Sequence, residues 1–143
     1  MVSASNKDEL KYFQKFGIRD GVRVGLIRPQ EVFVERLKYV LPDVELAIAE
    51  PGTCDVILWW LHEKDLPCLL TRINIMKVKI PPTGKMWLII PKKEVQKKQG
   101  ISLPWSDIHR QVLTTTFVDN KVASVDEDTY GTQFVIRKEQ RPV

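Results

Sequence analysis

Between Asp55 and Leu61 the chain reads Val56-Ile57-Leu58-Trp59-Trp60, an apolar run with no polar residue interrupting it. A strand with one wet face alternates apolar and polar side chains, because successive side chains point to opposite faces of the sheet. This run does not alternate, so both of its faces have to be covered. That is the pattern of a parallel strand lying between two layers of helices. Trp59 and Trp60 point to opposite faces, and each needs its own covering layer. No apolar stretch of the chain approaches the roughly 18 residues that a membrane-spanning helix requires.

The remaining segments supply those layers. Asn6 with Glu9 three residues later resembles a capping box, and Leu10, Phe13 and Phe16 follow at helical spacing until Gly17 stops the helix. Asp20-Gly21 turns into a first strand, Val22 to Ile27. Pro29 suits the first position of a helix whose apolar face is Phe33, Leu37 and Val40. A second strand runs from Val44 to Ala49, and Pro51-Gly52-Thr53 leads to the apolar third. A helix from about Glu63 to Met76 is expected next, with Pro67 tolerated near its first turn and Leu66, Leu69, Leu70, Ile73 and Met76 facing inward.

Ile80 to Gly84 is a loop, Lys85 to Ile90 a fourth strand stopped by Pro91, and residues 92 to 102 a lysine-rich loop. Pro104 opens a helix carrying Trp105, Ile108, Val112 and Leu113. Val118 to Val125 and Thr132 to Arg137 form an antiparallel pair, with the second a candidate sheet edge. This alternation predicts an α/β fold: a three-layer, doubly wound, mostly parallel sheet of order 3-2-1-4-5 with an antiparallel edge strand, the first strand central. At 143 residues a single domain is expected, with an N-terminal helix over 1–17 and the sheet and its crossover helices over 22–137.

The junction behind the first strand narrows the chemistry. A nucleotide-binding βαβ unit places a glycine-rich turn there, so that backbone N–H groups close on a phosphate or cofactor. Here Ile27 runs into Arg28-Pro29-Gln30-Glu31. Proline removes one N–H, and the neighbouring side chains obstruct close approach. The reading is an α/β cofactor-type scaffold without the usual grip, and no cofactor is expected.

Four separated pieces carry a family likeness: Phe16-Gly17-Ile18 with Gly21-Val22-Arg23-Val24; Asp55-Val56-Ile57-Leu58; Gly84-Lys85-Met86-Trp87 running to Pro91-Lys92-Lys93; and Val125 to Gly131 leading into Phe134-Val135-Ile136-Arg137. In this order and spacing, from Tyr12 to Lys138, they resemble the domain-of-unknown-function family three-zero-five-two. The strand plan with its terminal hairpin resembles the methyltransferase-like Rossmann superfamily. The resemblance implies the fold. It implies no catalytic residue, because that family carries no assigned activity. S-adenosylmethionine is the cofactor the superfamily brings with it, and its glycine motif is absent here.

In open α/β sheets ligands bind beyond the carboxyl ends of the strands, where strand order reverses. The candidate rim is Arg28 and Gln30 after the first strand, Glu50 after the second, His62 after the third, and Lys92 and Lys93 after the fourth. Glu50 stands about 20 residues beyond the first strand, where an acid binds ribose hydroxyls in dinucleotide sites. Its other reading is a solvated carboxylate. His62 beside Glu63 suits acid–base work; alternatively Glu63 and Asp65 simply meet the positive end of a helix.

His62 and His109 have no ligand partner at metal spacing, so no metal is expected. Ser102, Ser106 and Ser124 lack a nucleophile elbow. Cys54 and Cys68 lie in apolar segments and read as buried thiols of a reducing, cytoplasmic compartment. Trp87 and Trp105 read as core.

With 22 Lys and Arg against 18 Asp and Glu, the formal charge of +4 is mild. Lys92, Lys93, Lys97 and Lys98 form the densest cluster. They suit phosphate contact without base specificity, but Glu94 interrupts them and no aromatic side chains are interleaved for stacking. The functional expectation is a non-catalytic module that uses the rim for a protein or small ligand. Two alternatives stand beside it: a divergent methyltransferase using S-adenosylmethionine, and nucleic-acid or phosphate binding by the 92–98 lysine loop. The partner and oligomeric state are left open.

Overall fold

In the computed structural model, residues 4–48 and 53–138 are described, with the side chains of 4–6 left aside. Glu50 therefore lies outside the described residues. The elements run α1 (Ala4–Gln14), β1 (Arg23–Ile27), α2 (Glu31–Val40), β2 (Glu45–Ile48), β3 (Val56–Trp60), a 3-10 segment (Glu63–Cys68), α3 (Leu69–Lys79), β4 (Lys85–Pro91), α4 (Lys93–Gln99), α5 (Trp105–Val112), β5 (Phe117–Ser124) and β6 (Thr129–Ile136). The six strands form one sheet of order β2-β1-β3-β4-β6-β5. The first four pair in parallel, and β6 joins β4 and β5 antiparallel.

The α/β class, the mostly parallel sheet and the antiparallel edge are as the sequence leads one to expect. The numbered order 3-2-1-4-5 is not: β3 pairs with β1 on the side away from β2. The reason lies in the side chains. Every residue of β3 is buried, whereas Glu45–Ile48 of β2 is exposed at both ends. The wholly apolar strand takes an interior place and the more polar one takes the edge. For the same reason β6, with six of its eight residues buried, lies between β4 and β5. The exposed β5 is the edge, where a register shift between Asp119 and Lys121 interrupts the ladder.

Two apolar layers flank the sheet. Phe13 of α1, Phe16 of the turn after it, and Phe33 and Leu37 of α2 pack with Val24, Leu58, Trp60 and Trp87 on one face. Leu69, Ile73 and Met76 of α3 and Ile108 and Val112 of α5 pack with Ile57, Trp59, Leu88 and Phe134 on the other. Trp59 and Trp60 do enter opposite layers. The Trp87 indole N–H donates to the Phe16 carbonyl at 3.0 Å, and the two rings meet edge to face at 5.0 Å, which pins the turn after α1 to the sheet.

Local differences have local causes. Helix α1 begins at Ala4, so Asn6 lies inside it and is not its cap. Helix α2 begins at Glu31 with Gln30 as its N-cap, which leaves Pro29 ahead of the first helical position. The expected Glu63–Met76 helix is split. Pro67 has no N–H for an i–4 bond, so the chain makes a 3-10 segment through Pro67 and starts a fresh α-helix at Leu69.

Leu70 then falls on the outer side, 39% exposed. Cys68, at the end of the 3-10 segment, is exposed rather than buried, while Cys54 is buried as expected; burial pushes the Cys54 thiol pKa up. Trp105 is only partly buried. Residues 93–99 are not loop but helix, closed by Gly100 in the left-handed conformation at φ 67°. No helix among the described residues is long and apolar enough to cross a membrane.

Candidate functional site at the carboxyl ends of the strands

The chain leaves β1 toward α2 on one face and leaves β3 toward the 3-10 segment and α3 on the other. Since β1 and β3 are hydrogen-bonded neighbours, their carboxyl ends are the point where the windings diverge and a crevice opens. Here that place is occupied by Arg28, Trp59, Trp60, His62 and Asp65, joined by hydrogen bonds.

Arg28 adopts φ 53°, the only non-glycine residue among those described with a positive φ. The backbone thus makes a turn of the kind glycine makes freely, but it carries an arginine side chain into the crevice. That guanidinium forms a two-pronged pair with the Asp65 carboxylate, one limb at 2.6 Å. It also donates to the Trp60 carbonyl at 3.1 Å. Asp65 is only 4% exposed and accepts further bonds from the His62 backbone N–H at 2.8 Å and the Trp59 indole at 3.2 Å.

Burial alone would raise the Asp65 pKa. The hydrogen bonds from Arg28, His62 and Trp59 and the Arg28 charge outweigh it, and the carboxyl is held below its ordinary value. On the Arg28 side the Asp65 hydrogen bonds raise the guanidinium pKa, against the smaller effect of burial.

His62 is engaged as a cap. Its Nδ1 accepts from the Lys64 N–H at 3.1 Å, while Asp65 closes the reciprocal half of a capping box on the His62 N–H. This local role occupies the ring nitrogen that faces the helix start. Gln30 stands apart, lining a cavity of about 40 Å³ with Tyr12, Phe33 and Asp126. Tyr12 donates its hydroxyl proton to the Val125 carbonyl, and burial pushes its pKa up to about 12.

Lys92 is the N-cap of α4, its N–H bonded to the Asp128 carbonyl at 2.8 Å. Lys93 and Lys97 border an open depression of about 530 Å³ beside Ile101. The structure therefore brings Arg28 and His62 together around Asp65 and leaves Gln30, Lys92 and Lys93 outside that cluster.

Asp65 is the residue that sequence reasoning missed, because an acid in a first helical turn is explained by the dipole alone. The signal was its partner: a cation at Arg28, on the adjoining strand end, where a nucleotide-binding unit places a glycine turn.

Helix α4 is fixed from beneath by Gln96, which is 8% exposed. Its amide donates to the Pro91 carbonyl at 2.8 Å and accepts from the Leu103 N–H at 2.8 Å. Gln96→Leu leaves both backbone groups without a partner and is expected to cost about 2 kcal/mol, measured by urea unfolding. An unchanged midpoint would show that the clamp carries no weight. Among the described residues no three His, Cys, Asp or Glu side chains gather closely enough to hold a metal ion.

No family model matches the chain, and no curated protein matches it. Solved structures do. A SAM-dependent methyltransferase from Aquifex aeolicus is similar at a TM-score of 0.62 and 18% identity, over 95% of each chain. The mitomycin 7-O-methyltransferase MmcR is similar at 0.61 and 9% identity, over 92% of this chain and 54% of its own, so this chain spans about half of that enzyme. A precorrin-6y C5,15-methyltransferase from Geobacter metallireducens is similar at 0.58 and 9% identity, over 95% and 91%. At such identities the likeness concerns backbone alone, and it establishes that this chain has the methyltransferase-like Rossmann fold.

Proposed function

We propose that the chain is a non-catalytic Rossmann-like binding module whose cofactor crevice is filled by its own side chains. The observation that carries this reading is the Arg28–Asp65 pair, which spans the carboxyl ends of β1 and β3. An S-adenosylmethionine site on this fold needs an open turn with approachable N–H groups after β1. Here that turn carries Arg28, Pro29 follows it, and the guanidinium lies against the end of β3. The residues present do not fit the cofactor, and no group-transfer step is drawn through it. Binding of a protein or small ligand falls to what remains of the rim, chiefly the exposed lysines of α4. The pieces from Phe16 to Arg137 named above support placing the chain with family three-zero-five-two.

The methyltransferase reading is favoured by the fold of the three structures just described, and one measurement separates the two. A ligand present at 100 times its dissociation constant stabilises a protein by about 2.7 kcal/mol, several degrees for a domain of this size. With S-adenosylmethionine or its demethylated product at ~1 mM, the melting temperature is expected not to move. A rise of a few degrees, lost in an Arg28 or Asp65 variant that still folds, would establish the methyltransferase reading instead.

A further inference from the structure

At the opposite end of the sheet, where the strands begin, a further hollow of about 200 Å³ opens. Three turns distant in sequence build it. Gly17 and Arg19 come from the turn between α1 and β1, Asp55 and Val56 from the head of β3, and Thr83 and Lys85 from the turn into β4. Parts of three of the four pieces that carry the family likeness, those around Gly17, Asp55 and Gly84-Lys85, meet here. The crevice of Arg28 and Asp65 uses none of these residues.

The walls are held by backbone. The Lys85 N–H donates to the Asp55 carbonyl at 3.1 Å, the Asp55 N–H to the Arg23 carbonyl at 2.9 Å, and the Gly84 N–H to the Pro81 carbonyl at 2.7 Å. Gly17, at φ 86°, keeps the floor low. A Cβ there would come within 3.3 Å of Lys85 Cδ and 3.4 Å of Val56 Cγ2, so the lysine stem lies along the glycine.

The charges in this frame are unsatisfied in one direction. Among the described arginines, Arg23, Arg28, Arg36 and Arg110 pair with carboxylates, Arg137 donates to a carbonyl and Arg72 lies over Trp59. Arg19 has no such partner, and neither does the Lys85 ammonium. The one acid of the hollow, Asp55, accepts the Arg23 N–H through Oδ2 at 2.9 Å. Two free cations at the lip of a concave, part-apolar hollow concentrate positive potential there, and a guanidinium offers a fork matched to an oxyanion.

We propose that this amino-end hollow binds a small metabolite bearing a phosphate or carboxylate group. Arg19 and Lys85 hold the oxyanion, and Asp55 accepts a hydrogen bond from a hydroxyl or amine further along the ligand. The volume suits a molecule well below drug size. This site is independent of the carboxyl-rim reading and survives its failure.

The test is a titration of the ¹⁵N-labelled chain with glycerol 3-phosphate, with glycerol as control. Saturable amide shifts are expected at Gly17, Thr83, Gly84 and Lys85 below ~10 mM ligand, and none with glycerol. Arg19→Gln alters an exposed side chain and keeps the backbone carbonyl that accepts from Val22, so it retains the fold. It is expected to weaken binding at least ~10-fold. Lys85→Met keeps the stem against Gly17 and removes only the charge, with the same expected direction. If Lys85→Met fails to fold, Arg19→Gln alone decides. Absent shifts, shifts at Lys92 and Lys93 instead, or affinity unchanged in Arg19→Gln would each overturn the proposal.

Discussion

Asp65→Ala is expected to cost about 3 kcal/mol of folding free energy, read as a lowered midpoint in urea. The carboxylate is 4% exposed and answers four donors, two on Arg28, the Trp59 indole and the His62 N–H. Removing it strands the Trp59 indole and the His62 N–H and leaves Arg28 its bond to the Trp60 carbonyl, and a donor left unpaired in a buried place costs more than a hydrogen bond gains. Solvent reaching the Arg28 side chain, 42% exposed, keeps the loss near the lower end of that for a buried ion pair.

The same carboxylate sets part of the acid limb. Its folded pKa lies below the unfolded value. The stability it confers is therefore complete above the ordinary carboxylate pKa of about 4 and disappears as pH falls through the lower folded value. Asp65→Ala is expected to flatten the fall of stability below about pH 4 relative to the parent. Parallel pH profiles, or a loss under ~0.5 kcal/mol at neutral pH, would remove Asp65 from its place as the hub of the crevice.

Trp87→Ala is expected to cost still more, about 3–5 kcal/mol, and to leave the chain largely unfolded at physiological temperature. Trp87 is 0% exposed and fills the space between β4 and α1. Its loss opens a cavity and removes the edge-to-face contact with Phe16. Trp87→Phe separates the two contributions. It refills most of the volume and strands only the Phe16 carbonyl, so about 1–2 kcal/mol is expected. Equal losses in the two variants would mean that the hydrogen bond, and not the packing, fastens the turn after α1. Calorimetric melting together with near-ultraviolet circular dichroism measures both.

The apolar run of β3 was sufficient to read a parallel strand covered on both faces, because burial on two sides leaves no polar alternation to find. The divergence of Trp59 and Trp60 followed from the pleat alone. Strand order was not legible, since it depends on a comparison between strands: β2 is the edge only because β3 is more apolar. Pro67 by itself does not decide between the two helix types, for a proline in a first turn is tolerated in an α-helix as well as in a 3-10 segment.

At the rim, the absence of the glycine turn was plain in Arg28-Pro29. What replaced it was not, because the Arg28–Asp65 contact joins residues 37 apart in sequence and neither spacing nor periodicity reports such a pair. The lysines from Lys93 to Lys98 are not legible as helix for a related reason. Their helix is held by Gln96, one buried amide in an otherwise polar stretch that gives hardly any apolar period.

The placement of β6 between β4 and β5 bears on how the molecule is assembled in time. β4 pairs with β3 on one side as soon as residues 56–91 are available, but its other side is met only by residues 129–135. A chain emerging from the ribosome in order therefore carries an open edge of a largely apolar strand while some forty residues are still to follow. Closing it requires the hairpin of β5 and β6 to form and dock as one piece, with β6 entering on the inside. Slow steps of refolding and losses to aggregation are thus expected to be governed by the hairpin and its register, and much less by the β1–β3 crevice that distinguishes this chain chemically.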